Sequence, residues 1–216
     1  MRVAEATELK SNEADPRVRR TRKLLQDALM ELMGEKGFQL TTVQDIAERA
    51  TVNRATFYAH YEDKYALLDQ MVGDLFRQRL TRLVTPASPF TQANLQRFVV
   101  TVLEGLAEFN GHCKHTDRDV HRLIEGRVQG EIEAFLQAWL AAQPSHEAEP
   151  RPRPATLAQV LSWAIYGAGS AWSRSPNETP AEEAAREIVA TLTVGIARAL
   201  QPGKGPKASD ASASLH

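Results

Sequence analysis

Residues 41–64 read TTVQDIAERATVNRATFYAHYEDK. Ile46, Ala47 and Ala50 recur at helical spacing and predict a short helix with an apolar inner face. Thr41 and Thr42 can both cap it, and Thr41 with Gln44 three residues on fits a capping box. A break at Thr51-Val52-Asn53 leads to a second short helix, from Arg54 to about His60, with Asn53 as N-cap. Two short helices separated by three or four residues and packed on a longer one describe a helix-turn-helix. In that motif the second short helix enters the DNA major groove, where base edges present a distinguishable donor and acceptor pattern. Its outward residues should be short and polar, with an aromatic or a cation reaching phosphates. Asn53, Arg54, Thr56, Tyr58 and His60 meet that demand, and Phe57 with Val52 supplies the apolar anchor.

Upstream, Leu24/Leu25, Ala28/Leu29 and Leu32/Met33 recur every four residues and make one buried stripe of a helix that follows Pro16. Gly37 is a natural stop, because glycine takes the left-handed backbone that ends helices. Arg17, Arg19, Arg20, Arg22 and Lys23 crowd the start of this helix. Residues 16–64 carry nine Lys/Arg against seven Asp/Glu, while the whole chain has a formal net charge of -1. A positive end on a near-neutral chain is the electrostatic footprint of phosphate binding. A bulk polyanion binder is excluded by the same balance.

Downstream, Asp63 can cap a long helix running to about Val84, with Leu67, Leu68, Met71, Leu75 and Leu80 inward. Pro86-Ala-Ser-Pro89 reads as a linker. Amphipathic segments follow at about 91–110, 116–142, 155–174 and 180–200. The stretch 144–154, PSHEAEPRPRP, is too polar and proline-rich for a packed element. Residues 1–15 lack an apolar stripe, and 201–216 form a Gly/Pro/Ser/Ala-rich tail; both are expected to be mobile. The fold class is therefore all-α: a three-helix unit at 16–63, then a helical bundle at 64–200.

The 216 residues are 43% apolar and 25% charged, ordinary for a globular protein with a real core. One cysteine precludes an intramolecular disulfide. No apolar run approaches the roughly 18 residues of a membrane span, and the start of the chain lacks the apolar core of a signal peptide. A cytoplasmic protein with no membrane partner is the expectation.

The stretch RRTRKLLQDALMELMGEKGFQLTTVQDIAERATVNRATFYAHYEDKYALLDQM resembles the N-terminal domain of the tetracycline-repressor (TetR) family of bacterial regulators. The resemblance rests on Gly37-Phe38, Thr41-Thr42-Val43 with Ile46-Ala47, Val52, Thr56-Phe57-Tyr58, His60-Tyr61, and Lys64 leading to Leu67-Leu68. It covers roughly a quarter of the chain; beyond it the likeness is architectural. It implies a homodimer on double-stranded operator DNA, with the C-terminal helices forming the dimerisation and small-molecule-sensing domain. It places Thr42, Asn53, Tyr58, His60 and Lys64 at phosphate-contacting positions, and Gln44, Arg54 and Thr56 where base contacts are made. Arg17 and Arg20 join the phosphate contacts through their positive field. The chain departs from the family at Thr51, where members usually carry glycine in the turn. A β-branched residue at positive φ would be strained there.

Other features invite other readings. His112, Cys113, His115 and His121 cluster, but without the repeated ligand pairs of a zinc site, so a polar interhelical loop is the expectation. Aromatics such as Trp139, Trp163 and Phe98 fall at helical spacing and suit a core, an interface or a cavity wall between bundle helices. No G-x-S-x-G, Gly-rich phosphate loop or H-E-x-x-H is present, which speaks against an enzyme, and no cofactor is implied. The remaining alternatives are a helical interaction protein, or a regulator that activates or works without an effector. Residues 160–171, VLSWAIYGAGSA, and the apolar positions Ile188, Val189, Leu192, Val194, Ile196 and Leu200 predict a dimer built by the last two long helices. The helix after Asp63 is expected to carry a ligand signal, with Met71, Leu75 and Phe76 facing a cavity of the second domain.

Overall fold

The computed structural model describes residues 15–112, 118–143, 153–176 and 178–195. The described residues fold as helices joined by turns and short loops, in the order α1 (Pro16–Lys36), α2 (Val43–Arg49), α3 (Arg54–His60), α4 (Lys64–Leu83), α5 (Gln92–His112), α6 (Arg118–Ala141), α7 (Pro154–Trp172) and α8 (Ala181–Ala190). A π-helical turn, Thr191–Gly195, extends α8. The predicted leader and tail, the 144–152 loop, and Cys113 and His115 lie outside the described residues.

The first four helices start where a side chain accepts an orphan amide. Asp15 caps α1 through the Arg17 N–H, at 2.8 Å. Asn53 caps α3 through the Thr56 N–H, at 2.7 Å, and Asp63 caps α4 through the Ala66 N–H, at 2.8 Å. At α2 the predicted capping box is displaced by one residue. Thr42 and Asp45 form it, each accepting the other's N–H, at 3.1 and 2.7 Å. Thr41 instead is buried and donates its hydroxyl to the Gly37 carbonyl, at 2.8 Å. The Asp45 carboxylate reaches back to the Thr42 N–H as the glutamate or glutamine of the usual pattern does. Gly37 ends α1 at φ 81°, as its sequence position predicts.

α1–α3 wrap a small core of Leu25, Leu29, Phe38, Ile46 and Phe57 that merges into the bundle through Leu67 and Leu68 of α4. In the bundle, α6 packs along α7 and against α4, and α5 packs on α8. Phe98, Phe135 and Trp139 cluster at ring separations of 5.0–6.0 Å. The Pro86–Pro89 linker is tied to α6: the Ser88 carbonyl accepts from Trp139 Nε1 at 2.7 Å and Gln143 Nε2 at 3.1 Å. Two glycines permit close helix approach. A Cβ at Gly169 would lie 2.9 Å from Leu106 of α5, and one at Gly73 would collide with the Arg127 guanidinium of α6.

The structure bears on three bundle expectations. Gly169 serves packing within the chain, whereas Gly167 and Ala171 are exposed. Val189 is buried, and Ile188 and Leu192 are partly buried against the same core; the Val194 side chain, Ile196 and Leu200 fall outside the described residues. Phe76 is core, and Met71 with Leu75 borders a cleft against α1 rather than a cavity of the second domain.

Candidate nucleic-acid interface

The turn between α2 and α3 is a Schellman ending. Val52 N–H donates to the Ala47 carbonyl at 2.9 Å and Thr51 N–H to the Glu48 carbonyl at 3.0 Å. That geometry requires a left-handed residue between them, and Thr51 adopts it at φ 56°. The turn is therefore not adjusted to spare the threonine; the strain is held by the two hydrogen bonds and by Val52 packing on the core.

Phe57 and Tyr61 are buried and fix the inner face of α3. Ala55 and Ala59 lie about 200° around the helix from Phe57, so they centre the outward face. Both are exposed, flanked by exposed Arg54 and by Tyr58 at 49% exposure. Sequence reasoning singled out the polar residues and missed these alanines, although their i, i+4 spacing opposite Phe57 and Tyr61 marks them. Alanines there let the backbone approach base edges and can touch a thymine methyl. Arg54 reaches along the helix to the Tyr58 hydroxyl, 3.4 Å, with its guanidinium 5.9 Å from the ring centre. Asn53 Oδ1 also accepts the Thr56 hydroxyl, at 3.0 Å. Gln44 is exposed on α2 and donates to Glu48, at 2.5 Å.

α2 is clamped to α1 by charge. Arg49 bridges Glu31 at 3.0 Å and Glu35 at 2.7 Å, and Lys36 bridges Asp45 at 2.8 Å. The Lys36 contact, followed by the Thr42 donors, holds the Asp45 carboxyl far below the usual carboxylate range. Arg49 holds Glu35 below its usual value as well. Lys36 and Arg49 are thus engaged by acids inside the motif. Arg17, Arg19 and Arg20 remain exposed at the start of α1. His60 is half-buried, and burial, with Arg22 nearby, lowers its pKa.

Two residues expected at phosphate contacts also make bonds within the chain. Lys64 Nζ donates to the carbonyls of Phe38, Gln39 and Thr41 at 3.0, 3.2 and 2.9 Å and sits 4.6 Å from the Phe38 ring centre. An ammonium has three hydrogens, and here they clamp the α1–α2 loop. The Thr42 hydroxyl donates to Asp45 at 2.6 Å while closing the capping box. Arg17, Arg20, Gln44, Asn53, Arg54, Thr56, Tyr58 and His60 keep places on or beside the outward surface of α1–α3.

Residues 25–71 match the family model described as "Bacterial regulatory proteins, tetR family". Over those residues the chain is a TetR-family helix-turn-helix. Its helix-turn-helix is the matched part, and the all-α bundle behind it agrees with solved TetR structures. Thermus thermophilus FadR, described as a TetR family transcriptional repressor in complex with lauroyl-CoA, superposes at TM-score 0.51 with 19% identity, over 90% of this chain and 100% of that one. At that identity the likeness is one of fold. The transcriptional regulator BetI of Cronobacter sakazakii is 25% identical over 177 residues, 81% of this chain and 76% of its own. The uncharacterized regulator YxbF of Bacillus subtilis is 32% identical over 101 residues, 45% of this chain and only 27% of its own length. Among the described residues no group of three His, Cys, Asp or Glu is placed to hold a metal, and no helix is long and apolar enough to cross a membrane.

Proposed function

We propose that this TetR-family chain is a ligand-responsive transcriptional repressor, acting in the cytoplasm as a homodimer on a pseudo-palindromic operator. It is a regulator and not an enzyme. The observation that carries the reading is the outward face of α3: Arg54, Ala55, Tyr58 and Ala59, held rigid by the Asn53 cap and buried Phe57 beside the exposed arginines of α1. Residues 16–63 form the DNA-reading domain in this proposal, and 64–200 the dimerising and sensing domain.

The dimer reading rests on α7. Val160 and Trp163 are 53% and 51% exposed, and Gly167 and Ala171 continue the same face. A two-fold pairing through α7 suits half-sites one helical turn or a multiple apart. Trp163→Glu should leave a monomer by light scattering.

Signal transfer would run along α4. Asp74 accepts from Gln26 of α1 at 3.0 Å and pairs with Arg77 at 3.1 Å; Arg77 reaches Glu131 of α6 at 2.7 Å. Arg127 of α6 lies over Gly73 and bridges Glu131 at 3.0 Å. A ligand that shifts α6 would therefore drag α4, and coupling of this kind is typically about 1–3 kcal/mol. The lauroyl-CoA of the Thermus FadR complex supports a small-molecule effector for this fold.

The test is a titration of operator and scrambled duplexes over a salt series. Arg54→Ala should relax specificity at a cost of about 1–3 kcal/mol. Equal affinity for both duplexes in the unmodified chain would reject the proposal in favour of a helical interaction protein.

A further inference from the structure

Thr56 stands in the first turn of α3, at the end that meets base edges when a helix-turn-helix enters the major groove. It lies about 100° around the helix from buried Phe57, half-buried on a flank of the outward face. A threonine hydroxyl ordinarily reads either polarity, donating to a carbonyl or accepting from an amine. Here the contact with Asn53 removes that freedom. Asn53 Oδ1 accepts the Thr56 N–H at 2.7 Å and lies 3.0 Å from Thr56 Oγ1. The N–H contact identifies the Asn53 atom as the amide oxygen, since an NH2 group could not accept it. An amide oxygen has no hydrogen to give, so the contact between the two oxygens uses the single hydrogen of the Thr56 hydroxyl. What Thr56 presents outward is lone pairs.

Its neighbours are not restricted in this way. Arg54 carries donors only. Gln44 gives one Nε2 hydrogen to Glu48 but keeps Oε1 and a second hydrogen, so it still reads either way. In the major groove every base pair presents an exocyclic amine, adenine N6 or cytosine N4, and acceptors beside or opposite it. A hydroxyl that can only accept bonds the amine and is repelled by a carbonyl in the same place. We infer that Thr56 is a specificity-determining residue that takes the amine of adenine or cytosine. Asn53, besides capping α3, is the positioning residue that fixes this polarity. Thr56 therefore discriminates the orientation of a base pair, amine towards it or carbonyl towards it, more than A·T from G·C. The inference rests on the operator reading and deepens it, by naming the chemical group that must face α3 at this point.

The experiment starts from duplexes that the full chain selects out of random DNA. Each adenine of a half-site is replaced in turn by purine and each cytosine by 2-pyrimidinone, which deletes the amine. Affinities are measured by fluorescence anisotropy for the unmodified chain and for Thr56→Val. At one position amine deletion should weaken the unmodified chain by about tenfold and leave Thr56→Val unaffected. Comparing the two chains on the same duplexes cancels any change in the duplex itself. Reversing that base pair, which puts a carbonyl where the amine stood, should cost the unmodified chain at least as much. Asn53→Asp keeps an oxygen that accepts both Thr56 hydrogens, so the sensitivity to the amine should persist, although the added charge lowers affinity for every sequence. Asn53→Gly preserves the helix start at little cost and frees the hydroxyl to turn, so the penalty for reversal should largely vanish. The inference is overturned if no amine deletion separates the unmodified chain from Thr56→Val, or if Asn53→Gly discriminates as sharply as the unmodified chain. Should Asn53→Gly lose its helical spectrum, the amine scan with Thr56→Val decides by itself. A selection that enriches no sequence would reject the operator reading and this inference with it, whereas enriched sites without a Thr56-dependent amine reject this inference alone.

Discussion

α1–α4 and α7–α8 are built from the same helical element, yet they begin differently. The first four helices are each closed by an Asp, Thr or Asn side chain on an orphan amide. Arg153 stands at the cap position of α7 and Pro180 at that of α8, and neither makes a side-chain cap bond. The N-terminal unit includes two seven-residue helices and must place a surface accurately, so each end is specified by a particular residue. The bundle helices are held chiefly by buried area, and many apolar residues of suitable size can satisfy that. Specified ends leave a pattern in the sequence; burial leaves only a period.

Several measurements would break or sharpen this contrast. The largest effect belongs to the bundle. Trp139→Ala removes a fully buried ring, its contacts with Phe90, Phe98 and Phe135, and the bond to Ser88. A loss of about 3–5 kcal/mol is expected by urea unfolding. Lys64→Met should come next, at about 1.5–3 kcal/mol, because three carbonyls lose a charged donor. The loss should appear in unfolding of the unbound chain, which separates a loop clamp from a phosphate contact. Cap exchange tests the contrast itself: Asn53→Ala should cost about 1 kcal/mol, whereas Arg153→Asp, supplying the cap α7 lacks, should gain a comparable amount. If the second change is neutral, burial alone already fixes the start of α7. Thr51→Gly should stabilise by about 0.5–1 kcal/mol, relief of left-handed strain exceeding the added freedom of the unfolded glycine.

The smallest effect is a pH dependence at His60. Its folded pKa lies below 6.5, so the unfolded chain binds more protons as pH falls through 6.5 towards the folded value. The contribution is complete above pH 6.5 and is lost as pH drops through that window. Operator affinity should move the other way, since a protonated imidazole attracts phosphate. His60→Gln should flatten both curves, measured by thermal unfolding and by gel shift.

How far the sequence could be read follows the same division. The bounds of α1–α4 and three of their caps were legible, because each depends on residues within four positions of one another; the left-handed turn at Thr51 was suggested only by the family resemblance. The Thr42/Asp45 box was misplaced by one residue, since two adjacent threonines offer the same chemistry and only burial of Thr41 separates them. The loop clamp made by Lys64 was not legible, because its partners, the carbonyls of Phe38, Gln39 and Thr41, are backbone groups with no identity in a sequence. The stripe at Ile188 and Leu192 showed that a face is apolar, but not whether its cover comes from α5 or from a second subunit.

The loop after α4 has a consequence for the order of events during synthesis. Ser88 is pinned by Trp139 and Gln143, contacts that span 51 and 55 residues. A chain emerging from the ribosome can complete α1–α3 from local contacts alone. The bridge from α4 into α5 acquires those anchors only after residue 143 has been added. The DNA-reading surface can thus exist on a nascent chain well before anything holds it at a fixed distance from the rest, and a nonsense codon before Trp139 would leave that surface without these two restraints.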